Sequence, residues 1–201
     1  MSLVSAAFFS WLQGAPFYVD LHRQAVELLP AGTGKTWLDA GCGPGLVARL
    51  ARQRGYAVIG LDRDPAMIHQ AERRARGDAG CRFAVSELSR LAVEPLADVV
   101  SAASLLFVVP DAEAALGQLW ERVRPGGQLL VIETSERMTP AAARQVKTPP
   151  GRRLALTLWA RARNGRAVAP RIFRTLPASS IEHTPLLDGL VSAWVLAKAA
   201  T

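Results

Sequence analysis

The chain has few cysteines, no long apolar run and no charge at its start. Only 2 of its 201 residues are cysteines, Cys42 and Cys81, which cannot form a disulfide scaffold and suit a reducing compartment. The longest apolar stretch, 99–110, is about half of the roughly 20 residues that a membrane-spanning helix needs. Residues 1–19 are uncharged and so lack the basic start of a secretory signal. We therefore expect a cytoplasmic protein with no membrane partner.

Sequence patterns typical of metal-dependent and nucleophilic catalysis are also missing. The chain contains no H-E-x-x-H, no C-x-x-C and no Ser-His-Asp order. The three histidines, His22, His69 and His183, lie far apart in sequence, and we expect each to be a packing or surface residue. We predict no metal site, and the sequence assigns no catalytic residue.

Positive charge is present but unevenly distributed. The formal net charge is +7, yet residues 1–133 hold 13 basic and 14 acidic side chains, whereas residues 134–201 hold 11 and 3. Nine basic residues fall within 144–174, namely Arg144, Lys147, Arg152, Arg153, Arg161, Arg163, Arg166, Arg171 and Arg174. Such a segment can bind RNA phosphates, pair with a small anion, or form a solvated surface.

Short apolar runs alternate with helical stripes along most of the chain. Strands are predicted at 37–40, 56–61, 82–85, 97–103 and 128–133, with closing strands near 180–183 and at 190–197. Helices are predicted at 20–29, 46–55, 64–77, 111–123 and 154–162. Strands that alternate with helices predict an α/β fold with a doubly wound, mostly parallel sheet.

No repeat or linker divides the chain, so we predict a single domain over residues 1–201. Within it we distinguish an N-terminal helical cap (1–30), a core (31–135), and a basic segment with the closing strands (136–201). In the cap, Val4, Phe8, Trp11 and Leu12 share one helical face. That face either packs on the body of the domain or forms an aromatic lid over a pocket.

Two predicted strands end in residues that suit an adenosine-containing ligand. The first runs into the Gly-Cys-Gly-Pro-Gly loop at 41–45, where glycines permit positive φ and close approach of a ligand. The second ends at Asp62, 21 residues after Gly41, a spacing at which a carboxylate can accept both ribose hydroxyls. Leu46 stands where a dinucleotide-binding G-x-G-x-x-G pattern requires glycine, which argues against a nicotinamide enzyme.

Three segments resemble motifs of the class I S-adenosylmethionine (SAM)-dependent methyltransferases. Residues 38–45 are similar to motif I, residues 59–67 to the motif of the second strand, and residues 122–129 to the turn before the fifth strand. The resemblance spans residues 20–135 with the right order and spacing. It implies a Rossmann-like fold of about seven strands, the last one antiparallel, and a methyltransferase with SAM as cofactor.

The resemblance also implies which residues hold SAM. The glycines would line the methionine and ribose, Asp39 would order their loop, and Asp62 would hold the ribose diol. The implied set of cofactor-binding residues is Asp39, Gly41, Cys42, Gly43, Gly45, Asp62, Arg63, Met67, Glu87, Leu88 and Ser104. Glu87 and Leu88 depart from the usual Asp-Ala pattern, and a solvated loop acid is the alternative interpretation of Glu87.

The methyl acceptor is not fixed by the resemblance. Residues 101–107 lack the Asn-Pro-Pro-Tyr of members that methylate amines, and their apolar character favours a small, partly apolar acceptor. If that acceptor is anionic, the basic segment could pair with it. Three alternatives stay open: an RNA methyltransferase that uses the basic third, a nucleotide-binding oxidoreductase, and a non-catalytic SAM-binding module.

Overall fold

The chain folds around one mixed sheet. The computed structural model describes residues 11–93, 95–163 and 165–200. Its strands are β1 (Thr36–Ala40), β2 (Ala57–Asp62), β3 (Cys81–Val85), β4 (Ala97–Ala103), β5 (Val123–Thr134), β6 (Ser180–Leu186) and β7 (Val191–Ala197). They lie in the order β3-β2-β1-β4-β5-β7-β6, and β7 pairs antiparallel with both β5 and β6, whereas the other neighbouring strands pair parallel. The predicted seven-stranded, mostly parallel sheet is confirmed, and β7 is its antiparallel strand.

Helices cover both faces of this sheet. They are α1 (Pro16–Glu27), α2 (Leu46–Gln53), α3 (Pro65–Ala75), α4 (Ala112–Arg122), α5 (Pro140–Gln145) and α6 (Pro150–Arg163), with 3₁₀ turns at Leu88–Val93 and Pro170–Thr175. Successive strand residues point to opposite faces. Val99 and Leu130 therefore join the apolar layer under α1, α2 and α6, whereas Val100 and Leu129 join the layer under α4. The near-continuous apolar strands are explained by this burial on both faces.

Three elements begin four or five residues earlier than the sequence predicted, among them α6, which begins at Pro150 instead of residue 154. α1 begins at Pro16 instead of residue 20, since proline is favoured in the first turn of a helix. β5 begins at Val123 instead of residue 128, because the Pro-Gly-Gly turn lies inside the strand as an irregularity in its pairing with β4. Gly126 there has φ +74°, and a Cβ on Gly127 would lie 2.7 Å from the carbonyl oxygen of Asp98.

The N-terminal segment packs on the C-terminal half of the chain. The Tyr18 ring lies 5.2 Å from the Trp159 ring, and the Phe17 ring lies 6.4 Å from it, which joins α1 to α6. Leu12 is fully buried and Trp11 is 55% exposed, while Val4 and Phe8 lie outside the described residues. None of the helices among the described residues is long and apolar enough to cross a membrane.

Candidate functional site

The glycine loop follows β1 at the carboxyl edge of the sheet. Gly41, Gly43 and Gly45 have φ values of +66°, +53° and +76°, a region that other residues enter only with strain. The Cys42 N–H donates to the carbonyl of Leu61 at 2.9 Å, and the Gly45 N–H donates to the carbonyl of Cys42 at 3.0 Å. The first bond ties the loop to the end of β2, next to Asp62, and the second closes the loop on itself.

Asp62 holds the glycine loop directly. Its Oδ2 accepts the Gly43 N–H at 2.8 Å, and its Oδ1 accepts the Asp64 N–H at 2.9 Å. A carboxylate oxygen has two lone pairs, so each oxygen can accept one more hydrogen bond. The half-buried Asp62 carboxylate can therefore bind two hydroxyls of a ligand while it keeps the loop in place.

Asp39 lies at the end of a buried hydrogen-bond chain between β1 and β4. The Trp37 Nε1–H donates to Ser101 Oγ at 2.7 Å, and the Ser101 hydroxyl donates to Asp39 Oδ1 at 2.7 Å. Burial raises the pKa of Asp39 to about 7, although the hydrogen bond from Ser101 and the nearby backbone N–H of Ala48 lower it. Oδ2 has no hydrogen-bond partner within 3.5 Å among the described residues.

A small cavity of about 10 Å³, room for roughly one water molecule, lies beside the glycine loop. Its lining includes Gln13, His22, Asp39 and Gly41. The Oε1 of Gln13 is buried and accepts no hydrogen bond in the described part of the chain. Two buried carbonyl or carboxylate oxygens of this lining, one on Gln13 and one on Asp39, thus have free acceptor capacity.

His22 lies in the wall of that cavity, a place that sequence reasoning did not find. Its Nδ1 lies 2.8 Å from the carbonyl oxygen of Tyr18, and burial lowers the pKa of its imidazole to about 4. The ring is therefore neutral near pH 7. The one sequence signal was its spacing from Tyr18, Leu21 and Ala25, which form the buried face of α1.

The other predicted cofactor residues lie around the end of β2. The Ser86 N–H donates to the carbonyl of Asp62 at 3.0 Å, which brings the segment with Glu87 beside Asp62. Glu87 is exposed, and its carboxylate lies 3.4 Å from the hydroxyl of the exposed Ser89. Arg63, which follows the last residue of β2, is exposed as well. Met67 and Cys42 are buried, Leu88 is half-buried, and burial raises the pKa of the Cys42 thiol. Cofactor contacts by these side chains stay a prediction.

Ser104 begins a second group of polar residues beyond β4. It has φ +56°, unusual for a residue other than glycine, and its N–H donates to the carbonyl of Ile132 at 2.8 Å. Its side chain lies beside the buried hydroxyl of Tyr18, where burial raises the pKa of that hydroxyl and Ser104 lowers it by a smaller amount. A Cβ on Gly41 would lie 2.8 Å from the Cδ1 of Leu105, so the loop that starts at Ser104 touches the glycine loop.

Glu133, near the end of β5, binds the backbone of this loop through its carboxylate. Its Oε1 accepts the N–H of Leu106 at 2.7 Å and that of Phe107 at 3.4 Å. Its Oε2 is buried without a hydrogen-bond partner among the described residues. Burial raises the pKa of Glu133 to about 7, whereas the positive charge of Arg163 lowers it.

Arg163, the last residue of α6, is the one buried arginine of the basic segment. It is 7% exposed, and its Cζ lies 4.1 Å from the centre of the Phe107 ring. Arg166 places a second guanidinium 5.4 Å from the same ring. Burial and the charge of Arg166 lower the pKa of Arg163, while Glu133 and Tyr18 raise it. Sequence reasoning placed Arg163 among nine equivalent basic residues and did not single it out.

Within residues 11–93, 95–163 and 165–200, no three His, Cys, Asp or Glu side chains are grouped so as to hold a metal ion.

Comparison with known proteins shows where this architecture recurs. Residues 38–131 match a family described as a methyltransferase domain. Over 178 residues, the chain is 32% identical to a trans-aconitate 2-methyltransferase of Methylobacterium radiotolerans, covering 86% of this chain and 65% of that protein. The structure of this chain also aligns with that of the N-methyltransferase NodS from Bradyrhizobium japonicum, which was crystallised with S-adenosylhomocysteine (SAH). The TM-score is 0.66 at 15% sequence identity, and the alignment covers 93% of this chain and 90% of NodS. These matches identify a methyltransferase domain in the core of the chain.

The chain spans about half to two thirds of the length of these sequence relatives. A malonyl-[acyl-carrier protein] O-methyltransferase of Serratia marcescens is 29% identical over 130 residues, which are 64% of this chain and 50% of that protein. The matched family segment contains the glycine loop, Asp62 and Ser104, and the resemblance inferred from those motifs is confirmed. Tyr18, Glu133 and Arg163 lie outside that segment.

Proposed function

We propose that this protein is a SAM-dependent methyltransferase that transfers a methyl group to a small-molecule acceptor by in-line displacement without a metal. The observation that carries the proposal is the joint geometry of the glycine loop and Asp62. Three positive-φ glycines set the backbone conformation of the loop, and the Asp62 carboxylate is fixed beside it by the Gly43 N–H at 2.8 Å. Such a pair suits the ribose and methionine portions of SAM.

The residues at this site fit the rest of SAM as well. The amino-acid end of SAM carries an ammonium group that needs hydrogen-bond acceptors. Asp39 Oδ2 and Gln13 Oε1 are buried acceptors without partners among the described residues, and both residues line the cavity beside Gly41. Glu87, at the end of the segment bonded to Asp62, would face the adenine, with Arg63 and Met67 on either side.

The chemistry asks little of the protein beyond binding and orientation. When bound, SAM supplies a methyl group on a sulfonium, whose positive charge is dispersed as the methyl moves to the acceptor. The chain would hold donor and acceptor in line and exclude water, which can contribute about 7–11 kcal/mol to lowering the barrier. Ser104 and the loop that follows it would face the acceptor, with the buried hydroxyl of Tyr18 beside Ser104.

The acceptor that best suits the site is anionic. An anionic oxygen already carries the lone pair that attacks the methyl group, so no general base is needed. His22, with its pKa lowered to about 4, is poorly suited to be one. Two relatives are named for malonyl-[acyl-carrier protein] and trans-aconitate, which are carboxylates. With this reaction the protein would work in the cytoplasm, where SAM is made and used.

Calorimetric titration with SAM and with SAH tests the cofactor site. We expect micromolar or tighter binding of both, and no response to NADH. Absence of measurable affinity for SAM and SAH at high micromolar concentration would overturn the proposal. Transfer of labelled methyl from SAM to a panel of small acids then tests catalysis, because tight SAH binding without turnover on any acceptor would leave a non-catalytic module.

RNA methylation is the second candidate that the basic segment suggests. Of its nine basic residues, all except Arg152 and Arg163 are exposed. RNA binding by this surface would weaken steeply as salt rises, since phosphate contacts release counterions. We expect only weak RNA binding and no methyl transfer to RNA; labelled RNA would favour this candidate instead.

A further inference from the structure

The loop after β4 connects the glycine loop to a buried positive charge. At one end, Leu105 lies against Gly41. At the other end, the Phe107 ring carries the Arg163 guanidinium at 4.1 Å. One residue lies between Leu105 and Phe107, so their Cα atoms are at most about 7 Å apart. Arg163 is therefore on the acceptor side of the proposed SAM site.

The charge of Arg163 is incompletely compensated. Its side chain makes no hydrogen bond, and no ion pair within 4 Å, to any residue in the described part of the chain. The nearest carboxylate to influence it, Glu133, directs its Oε1 to the backbone N–H groups of Leu106 and Phe107. The guanidinium nitrogens of Arg163 keep some contact with solvent, so an anionic ligand can reach them and supply an acceptor.

A second arginine makes the site more positive. The Cζ of Arg166 lies 5.4 Å from the centre of the same Phe107 ring, so two guanidinium groups lie close to one aromatic side chain. A structural role as the counter-ion of Glu133 needs one positive charge and a direct contact. Two guanidiniums without that contact instead create a local excess of positive charge, which an anion would neutralise.

We propose that Arg163 and Arg166 form an anion-binding subsite that holds a carboxylate of the methyl acceptor. Guanidinium groups match a carboxylate through two parallel N–H donors, and Phe107 keeps the Arg163 plane in place. An acceptor with a second carboxylate would present it toward the glycine loop. There a carboxylate oxygen forms a new bond to the methyl carbon, the carbon–sulfur bond breaks, and its electron pair stays on the sulfur. Carboxylate and sulfonium charges cancel, giving a neutral methyl ester and a thioether with no proton to move.

This inference rests on the proposed function, and the experiment separates the two. Propane-1,2,3-tricarboxylate is titrated calorimetrically into the SAH complex of the wild type and of R163Q, R166Q and R161Q. R161Q is the matched control, because Arg161 is exposed on the same helix. SAH affinity is measured first for each protein. A wild type that does not bind SAH would contradict the proposed function. If all four proteins bind SAH equally, a difference in tricarboxylate affinity between them reports on the subsite alone.

We expect the wild type to bind the tricarboxylate, R163Q to bind it about tenfold or more weakly, and R166Q several-fold more weakly, with R161Q unchanged. A wild type that binds SAH but not the tricarboxylate, or an R163Q variant with unchanged tricarboxylate affinity, would overturn the subsite. So would inorganic phosphate that binds as tightly as the tricarboxylate, since the site would then be a general anion site.

The R163Q substitution removes the positive charge that acts on the buried Glu133, so its effect on folding needs a separate control. The combined variant R163M with E133Q removes both buried charges and is expected to fold and bind SAH, while it loses the tricarboxylate as R163Q does. If this variant keeps wild-type affinity for the tricarboxylate, the subsite is wrong. The nature of the product gives an independent readout: label transferred to the acid should be released as volatile methanol by mild alkali, and base-stable label would contradict methyl-ester formation.

Discussion

The hydroxyl of Ser101 donates a hydrogen bond of 2.7 Å to Asp39, although 62 residues separate the two in the chain. They meet because β1 and β4 are parallel neighbours, with Asp39 opposite Ser101 in the register. The same hydroxyl accepts the Trp37 Nε1–H. One small side chain therefore satisfies two buried groups beneath the glycine loop.

Replacing Ser101 by alanine should destabilise the protein markedly. The change leaves Trp37 Nε1–H and Asp39 Oδ1 buried without this shared partner, and we expect the free energy of unfolding to fall by about 2–4 kcal/mol. Urea unfolding followed by tryptophan fluorescence measures it. S89A, which removes an exposed hydroxyl, should stay within about 0.5 kcal/mol of the wild type. Equal effects of the two substitutions would show that the buried chain contributes nothing.

The stability of the ligand-free protein should depend on the ionisation of Asp39. Burial raises its pKa from 3.8 to about 7, so between these pH values the folded state keeps a proton that the unfolded state has released. The contribution of Asp39 to stability therefore falls as pH rises through that window. D39N cannot titrate, and the free energy of unfolding of D39N minus that of the wild type should rise from pH 4 to pH 7 by on the order of a few kcal/mol.

Measuring the difference isolates Asp39, because His22 and Glu133 are present in both proteins. Urea unfolding at four pH values between 4 and 8 provides the comparison. A difference that stays constant across this range would contradict the elevated pKa.

Two glycines in the core fold should respond to alanine in opposite directions. A Cβ on Gly60 would lie 2.6 Å from the Phe83 ring and 3.1 Å from Cys42 Sγ, so G60A should lower the free energy of unfolding by about 1–3 kcal/mol. Gly117 lies in α4 with no atom within 4 Å of its Cβ position, so G117A should raise it by about 0.5–1 kcal/mol. Thermal unfolding of both variants checks the pair, and a stabilising G60A would be inconsistent with this packing.

Removing the Asp62 carboxylate should weaken SAH binding through two effects. D62A loses the acceptors proposed for the ribose hydroxyls, and it releases the Gly43 and Asp64 N–H groups that the carboxylate now holds. We expect a loss of a few kcal/mol at most in binding free energy, measured by calorimetry. E72A, which removes an exposed carboxylate on α3, is the control. Unchanged SAH affinity in D62A would refute the role assigned to Asp62.

The sequence alone determined the fold class and one half of the site. Strand and helix periods are local, so the alternation of elements predicted the doubly wound sheet, and the glycine loop with Asp62 sits within 22 residues of chain. The irregular start of β5 was missed because the pairing with β4 that tolerates it is not a local property.

Only the tertiary structure decided the roles of Arg163, Phe107 and His22 in the other half of the site. Nine basic residues look equivalent in the sequence, and folding buries Arg163 against Phe107 while leaving most of the others in solvent. His22 became part of a cavity wall because α1 packs beside the glycine loop. Such roles depend on which distant segments meet at the carboxyl edge of the sheet. A sequence pattern specifies elements, and the packing of those elements specifies which charges lose water and which acceptors lack a partner.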